Sequence, residues 1–157
     1  MELSIVSMGR RHLDGCGRVV DGLELFARYR FSGVAASQLL GAAMDEGRCD
    51  LRVAVDRRDD VTGFAWLVPR GGFDRSGYLR LIAVGSGHRG AGVGRRLVEA
   101  LEETHLRHGG IMLLASADNT GARRFYERLG YRQVGLLPGY VVPDLDELIF
   151  FKSSARV

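Results

Sequence analysis

Cysteine and lysine are both scarce in this chain of 157 residues, and it contains no long hydrophobic run. The two cysteines, Cys16 and Cys49, lack the close spacing of a metal site, so we expect reduced thiols. No apolar stretch approaches the roughly 20 residues that span a bilayer. The N-terminus also lacks a charged segment followed by an apolar stretch and a cleavage site. These absences predict a cytoplasmic protein with no membrane partner and no bound metal.

Positive charge is present but dispersed. The formal net charge is +3, Lys152 is the only lysine, and the arginines are scattered with few aromatic residues between them. A nucleic-acid surface concentrates such charge in a stripe, so we expect no nucleic-acid partner. No repeat, low-complexity segment or linker divides the sequence, and its length suffices for one ordinary core. We therefore expect a single domain over residues 1–157.

The order of hydrophobic patterns predicts a mixed α/β fold. The predicted strands are residues 3–7, 51–55, 63–68, 78–84, 111–115, 131–134 and 148–151, and the predicted helices are residues 13–30, 35–46, 93–107 and a segment from Asn119. A charged turn at residues 57–60 favours an antiparallel hairpin, whose second strand we expect Pro69 and Gly71-Gly72 to end. A right-handed crossover through the helix at 93–107 would make the strands on either side of it parallel.

A glycine-rich segment at residues 87–94 joins the strand at 78–84 to the helix that follows. Its four glycines are more than a tight turn requires. Glycines at such a junction let consecutive N–H groups converge at the positive end of the helix dipole. Arg89, Arg95 and Arg96 add positive charge, and either Arg95 or Arg96 could reach a further phosphate. The segment therefore predicts a site for a phosphate-bearing ligand.

Two familiar phosphate-binding patterns fit this segment poorly. Residues 85–90 read G-S-G-H-R-G, which satisfies the dinucleotide fingerprint, but the acid expected about 20 residues later is missing, and Asp118 comes too late. A nucleotide-binding P-loop also fails, because Gly92 is followed by Val93 and Gly94 instead of a lysine and a hydroxyl residue. A nucleotide-binding domain that uses residues 85–90 is thus the weaker alternative.

A third pattern fits better and is supported by a second motif. Residues 89–94 read R-G-A-G-V-G and resemble the pyrophosphate loop of the GNAT superfamily of acetyl-CoA-dependent N-acetyltransferases. Residues 119–131 are similar to the second motif of that family: Asn119 opens a helix, Phe125 and Tyr126 lie inside it, and a Leu-Gly-Tyr sequence closes it. The similarity extends over roughly residues 51–152.

The resemblance implies a fold, a co-substrate and a set of contacts. The fold is a GNAT-like mixed β-sheet with a central parallel strand pair, flanked by helices, in which the parallel strands splay apart. The co-substrate is acetyl-CoA, and the acceptor is an amine of a small molecule or peptide. The residues expected to bind coenzyme A are Ile82, Ala83, Val84, Arg89, Gly90, Ala91, Gly92, Val93, Gly94, Arg95 and Asn119. For Asn119, a helix N-cap role is an equally good interpretation.

The resemblance also implies that Tyr126 is the general acid that protonates the departing thiolate. Helical periodicity alone would favour core packing for this residue, but a phenol with a pKa near 10 suits the chemistry. Many family members carry a glutamate on the strand at 78–84 to deprotonate the amine, whereas here Arg80 is the only charged residue of that strand. The remaining candidates are Glu24, Asp144, Asp146 and Glu147, and the sequence commits to none of them.

Several questions stay open at this level. The missing strand acid leaves a catalytically inactive acyl-CoA-binding or sensing domain as the second hypothesis. The acceptor amine is not identified, and a homodimer is possible by analogy with such folds alone. Trp66, Tyr140 and His12 are interpreted as structural residues, with His12 expected at the surface. Asp146 and Glu147 are as readily surface acids as catalytic ones.

Overall fold

A seven-stranded mixed sheet runs through the computed structural model, which describes residues 2–154. The strands are β1 (Ser4–Ser7), β2 (Asp50–Val55), β3 (Val61–Gly72), β4 (Ser76–Val84), β5 (Ile111–Ser116), β6 (Arg132–Leu137) and β7 (Glu147–Lys152). The helices are α1 (Leu13–Asp21), α2 (Glu24–Arg28), α3 (Gly33–Glu46), α4 (Val93–His105) and α5 (Thr120–Arg128). The order across the sheet is β1-β2-β3-β4-β5-β7-β6.

The predicted parallel pair is confirmed. β4 and β5 run parallel, while the neighbouring pairs β1–β2, β2–β3, β3–β4, β5–β7 and β6–β7 are antiparallel. The crossover from β4 to β5 passes through α4, as the strand-helix-strand pattern requires. The hairpin between β2 and β3 is confirmed as well.

Three predicted boundaries are wrong. The single helix expected over residues 13–30 is broken, because α1 ends at Asp21 and α2 begins only after Leu23, whose backbone is extended. β6 ends at Leu137 and not at Val134. β3 does not end at Val68 but continues past Pro69 to Gly72, the second of the two glycines expected to end it. Its pairing with β4 shifts register between Val68 and Gly72, so Pro69 lies in an irregular stretch where its missing N–H costs no ladder bond.

Two separate hydrophobic cores lie on opposite faces of the sheet. One contains buried residues of α4 and α5, such as Leu97 and Tyr126. The other contains buried residues of α1, α2 and α3, such as Cys16, Phe26 and Leu40. Both faces of the central strands are therefore covered by helices. Within the described chain, no helix combines the length and apolar character needed to cross a bilayer.

His12 is buried, with 1% of its surface exposed, which corrects the expectation of a surface imidazole. It ends a short 3₁₀ turn, and its Nδ1 accepts a hydrogen bond from the Gly9 N–H at 2.9 Å. Nε2 lies 3.4 Å from an Asp59 carboxylate oxygen in the β2–β3 turn. His12 thus fixes the chain entering α1 against the hairpin, a packing role that was not predicted for it.

Asp50 joins α4 to the sheet and gives a prediction about acid stability. Its carboxylate lies 2.8 Å from His105 Nε2 and accepts from Arg52 Nε at 2.6 Å. Burial opposes its ionisation, but these hydrogen bonds outweigh burial and lower the pKa of Asp50. A lowered folded-state pKa stabilises the fold above the unfolded value of about 3.9, and that stabilisation disappears as the pH falls through the folded pKa.

We therefore expect Asp50→Asn to lower the free energy of unfolding by about 1–3 kcal/mol at pH 7, since bonds between charged groups are lost. The deficit should persist down to about pH 5 and shrink below about pH 4. Urea unfolding of both proteins from pH 3 to pH 7 measures this. A deficit that does not change with pH would show that the carboxylate charge is not its cause.

Candidate active site

The central parallel strands separate after only three paired positions. β4 pairs with β5 at Gly77–Ile111, Tyr78–Met112 and Leu79–Leu113, and no pair follows. β4 nevertheless continues to Val84, and β5 continues to Ser116 while pairing with β7. The divergence opens a groove of about 1100 Å³, lined by residues of both strands and of helices on both faces. The edge of β4 beyond Leu79 that faces β5 therefore has no strand partner.

A β-bulge on β4 accounts for this separation. Across β3, Trp66 pairs with Leu81 while the next residue, Leu67, pairs with Leu79, so Arg80 is an extra residue. Such a bulge bends its strand and increases the local twist, which directs the end of β4 away from β5. The divergence of the strands, which the family resemblance implies, is thus present, and a local irregularity explains it.

The glycine-rich segment leads from the end of β4 into the first turn of α4. Gly90 and Gly92 have φ of +77° and +78°, a left-handed conformation that non-glycine residues adopt at a cost, and a Cβ at either would meet no atom within 4 Å. Gly92 is the N-cap of α4 and offers no side chain to the first-turn amides. Because these amides have no intrahelical acceptor, they are available to a ligand at the positive end of the helix.

The arginines near this segment divide into two groups. Arg89 and Arg95 are exposed and line the groove, and Arg95 Nε donates to Glu99 at 2.7 Å. Arg96 instead donates to the Leu3 carbonyl at 2.7 Å and ties α4 to the chain before β1. Of the two candidates for a further phosphate, only Arg95 therefore lines the groove.

The two sequence motifs meet in space where α4 approaches α5. A Cβ on Gly94 would lie 3.2 Å from the Phe125 ring, so glycine permits the contact between these helices. Asn119 is the N-cap of α5, as one of its two interpretations predicts, and its Oδ1 accepts from the Ala122 N–H at 3.0 Å. Asn119 also lines the groove, so a contact with coenzyme A stays a compatible prediction.

Tyr126 projects from α5 into the core and lines the groove with 6% of its surface exposed. Its ring is surrounded by aromatic neighbours, with centroid distances of 5.0 Å to Phe125, 5.8 Å to Tyr131 and 6.0 Å to Phe150. Burial raises the pKa of its phenol above the ordinary value, so the hydroxyl stays protonated. The position combines the core packing that periodicity favours with access to the groove.

Glu147 is the acid that sequence reasoning left undistinguished from surface residues. It is 3% exposed, it lines the groove, and its carboxylate accepts from the Tyr29 hydroxyl at 2.6 Å. Burial first, and then donation to Glu147, raises the pKa of Tyr29, which keeps that hydroxyl a donor. Glu147 begins β7 opposite Ser116, one residue before the strand predicted from the sequence. Tyr29 and Glu147 are 118 residues apart in the sequence, so no local sequence pattern predicts their contact.

The other acids considered as proton acceptors lie away from the groove. Glu24, Asp144 and Asp146 are exposed, and Asp146 accepts from the Gly139 N–H at 3.0 Å. In residues 2–154, Glu147 is the only carboxylate that lines the groove. Tyr140 is exposed and does not line it, whereas Trp66, interpreted as structural, does.

Comparison with known proteins points to one family. The model of the Acetyltransferase (GNAT) family matches residues 22–131. N-alpha-acetyltransferase 40 of Saccharomyces cerevisiae is 43% identical over 77 residues, which are 43% of this chain and 27% of that protein. An uncharacterized N-acetyltransferase of Methanocaldococcus jannaschii is 35% identical over 82 residues, 50% of this chain and 53% of that protein. The matches thus span about a quarter and about half of these curated relatives.

A solved structure extends the comparison to nearly the whole chain. An aminoglycoside 6′-N-acetyltransferase in complex with coenzyme A superposes with a TM-score of 0.75, at 23% identity, over 98% of each chain. At that identity the likeness establishes the fold. The overall fold is therefore shared with a protein whose structure was solved in complex with coenzyme A.

Proposed function

The chain belongs to the GNAT family of acetyltransferases, and from this premise we propose that it transfers the acetyl group of acetyl-CoA to a primary amine. One observation carries the proposal: the unpaired edge of β4 beyond Leu79 leads, through residues 85–92, to the open amides at the start of α4. A thioester with a diphosphate tail requires both features, and Tyr126 lines the same groove. The acceptor is an amine of a small molecule or peptide.

The groove residues fit coenzyme A. We propose that the main-chain amides of residues 89–94 hold its diphosphate, because the left-handed glycines leave their Cβ positions open and the helix dipole favours an anion. The free edge at Ile82, Ala83 and Val84 would hydrogen-bond the amides of the pantetheine arm. An N–H near Val84 would then face the thioester oxygen, and such a donor typically lowers the barrier by about 3 kcal/mol.

We infer that acetyl-CoA and the amine enter the groove from opposite faces of the sheet. Along β7, Leu148 and Phe150 belong to the core that includes Tyr126, and side chains alternate along a strand. Glu147 therefore faces the opposite side, where it contacts Tyr29 just beyond α2. We infer that the ammonium group of the acceptor approaches from the side of α1, α2 and α3 and passes one proton to Glu147, which lines the groove. The neutral amine then attacks the thioester carbonyl directly. A second proton leaves the nitrogen as the carbon–sulfur bond breaks, and it restores the phenol of Tyr126. Holding both groups in one groove supplies much of the acceleration.

Tyr126 is proposed to donate its proton to the thiolate as the carbon–sulfur bond breaks. Burial raises the pKa of this phenol, which by itself weakens the donor. The leaving thiolate would be buried in the same groove, and burial penalises that anion as well. Cys16, in the opposite core, illustrates the direction of the effect, since burial raises the pKa of its thiol. Burial raises the pKa of the Tyr126 phenol and that of the coenzyme A thiol in the same direction, so proton transfer between them remains feasible.

Acetyl-CoA binding and turnover test the proposal together. At 100 times its dissociation constant, acetyl-CoA should stabilise the protein by about 2.7 kcal/mol in thermal unfolding, while NAD at the same concentration should not. A panel of primary amines should release free thiol with an equal amount of acetylated product by mass spectrometry. Binding without release from any amine would indicate the catalytically inactive sensing domain. Stabilisation by NAD alone would favour the nucleotide-binding alternative.

The setting of this reaction is also a proposal. Cys16 and Cys49 are both free thiols in the structure. Unpaired cysteines are typical of reducing compartments, so we propose that the enzyme acts in the cytoplasm.

A further inference from the structure

We propose that the acceptor is an amino acid with an apolar side chain, whose ammonium group binds Glu147 and whose carboxylate binds Arg80. The inference rests on the proposed acetyl transfer, because it specifies the amine that the same groove receives. Three observations support it: a buried carboxylate without a cation, an arginine without an acid, and apolar walls around them.

Glu147 is a buried carboxyl group whose hydrogen-bond partner is a neutral hydroxyl. The side chain is 3% exposed and receives one hydrogen bond, from the Tyr29 hydroxyl. No arginine, lysine or histidine forms an ion pair with it in the described part of the chain. Buried carboxylates are normally paired with a cation, because desolvation otherwise costs several kcal/mol. The ammonium group of an acceptor in the groove would complete this site.

Arg80 has the complementary character. As the extra residue of the bulge, it turns to the same side as Leu81, and its guanidinium lies 4.3 Å from the centroid of the Trp66 ring. This cation–π contact positions the guanidinium at the groove, although the side chain of Arg80 as a whole is exposed. Over residues 2–154, no carboxylate pairs with Arg80. A planar fork held in this way at the groove matches a carboxylate.

Tyr78, Arg80 and Glu147 line the same groove. Burial raises the pKa of the Tyr78 phenol, Arg80 lowers it, and Tyr140 and then Glu147 raise it. A ligand with an ammonium and a carboxylate on one small frame can place each group against the opposite charge.

Apolar side chains form much of the remaining groove lining, although Ser116 lies opposite Glu147. They include those of Leu25, Phe26, Phe31, Leu39, Trp66 and Val141. An apolar side chain gains about 25 cal/mol per Å² of surface buried against such walls. A polyamine would bring a second cation towards Arg80. An amine without a carboxylate would leave the guanidinium of Arg80 without an anionic partner. An apolar amino acid satisfies all three features.

Three related ligands separate the contributions of the ammonium group and the carboxylate group to binding. L-phenylalanine carries both charges, phenethylamine lacks the carboxylate, and 3-phenylpropanoate lacks the amine. We expect the CoA-loaded protein to bind L-phenylalanine at least tenfold more tightly than phenethylamine in calorimetry. With acetyl-CoA, kcat/KM should follow the same order, with most of the difference in KM.

Two variants assign the charges to residues. Arg80→Met keeps an apolar stem over Trp66 and should reduce the affinity for L-phenylalanine to that for phenethylamine, whose own affinity should not change. Arg107→Met, at an exposed arginine just beyond α4, is the control for net charge and should behave like the wild type. Glu147→Gln should weaken both amines at least tenfold without weakening 3-phenylpropanoate, and its affinity for acetyl-CoA shows that the groove is intact.

The inference is overturned if the wild-type protein binds phenethylamine as well as L-phenylalanine, or if Arg80→Met weakens both equally. These outcomes differ from a failure of the proposed acetyl transfer. Acetyl transfer to polyamines and to other amines that lack a carboxylate, with no preference for amino acids, would refute the amino-acid acceptor. The proposed acetyltransferase activity would still be supported by that result. Absence of any acetyl transfer would refute the activity, while the charge preference would still be measured by binding.

Discussion

Replacing Tyr126 with phenylalanine is expected to lower kcat by about 100-fold or more, in the range usual for loss of a general acid. The substitution removes one hydroxyl and keeps the ring that packs against Phe125, Tyr131 and Phe150. Affinity for acetyl-CoA and the unfolding temperature should therefore change little. Because burial raises the pKa of Tyr126, the wild-type kcat should not fall as the pH approaches the ordinary phenol value of about 10.

Tyr131 provides the matched control. It belongs to the same aromatic cluster, its hydroxyl is buried near Glu102 without hydrogen-bond geometry to it, and it does not line the groove. Tyr131→Phe should leave kcat unchanged and leave the stability unchanged or slightly higher, since a buried unpaired hydroxyl is removed. Steady-state thiol release with an acceptor that the wild type acetylates compares the two variants. Equal kcat values for Tyr126→Phe and the wild type would show that Tyr126 only packs.

Replacing Gly92 with valine should raise the dissociation constant of acetyl-CoA by about 10- to 100-fold. Gly92 has φ of +78°, a conformation that a β-branched residue adopts only under strain. No atom lies within 4 Å of the added Cβ, so the strain falls on the backbone and not on packing. Relaxation of that strain rotates the amides of the segment away from their common focus, and a diphosphate would lose several hydrogen bonds.

Gly47→Val is the control for Gly92→Val. Gly47 has φ of +66° at the C-cap of α3, its Cβ position is equally open, and it does not line the groove. Gly47→Val should therefore destabilise the fold about as much as Gly92→Val without affecting acetyl-CoA affinity. Calorimetry with acetyl-CoA and urea unfolding measure the two effects separately. If both variants bind acetyl-CoA like the wild type, the segment does not hold the diphosphate.

The features that the sequence predicts correctly are encoded locally. The glycines before α4, the capping residue Asn119 and the apolar pattern of β5 each specify their own structure within a few residues. The parallel pair follows from chain order and the handedness of crossovers. For the same reason, the family could be inferred from two short motifs.

The features that the sequence does not reveal depend on distant contacts. Glu147 is distinguished by the groove and by Tyr29, and neither is visible in the exposed, acidic segment that precedes β7. His12 is buried because the β2–β3 turn covers it. The bulge at Arg80 appears only in the register between β3 and β4. Sequence patterns assign residues to elements, but they do not specify which distant side chains meet.

If the proposed sites are correct, the two cores on opposite faces of the sheet make recognition of the two reactants modular. The residues proposed to hold coenzyme A come from β4, the glycine-rich segment and α5, whereas much of the apolar wall facing the acceptor comes from α2 and α3. Substitutions in α2 and α3 can therefore diversify the range of accepted amines while the acetyl donor stays the same. In such an architecture, a new acceptor can be accommodated while the residues that bind coenzyme A are retained.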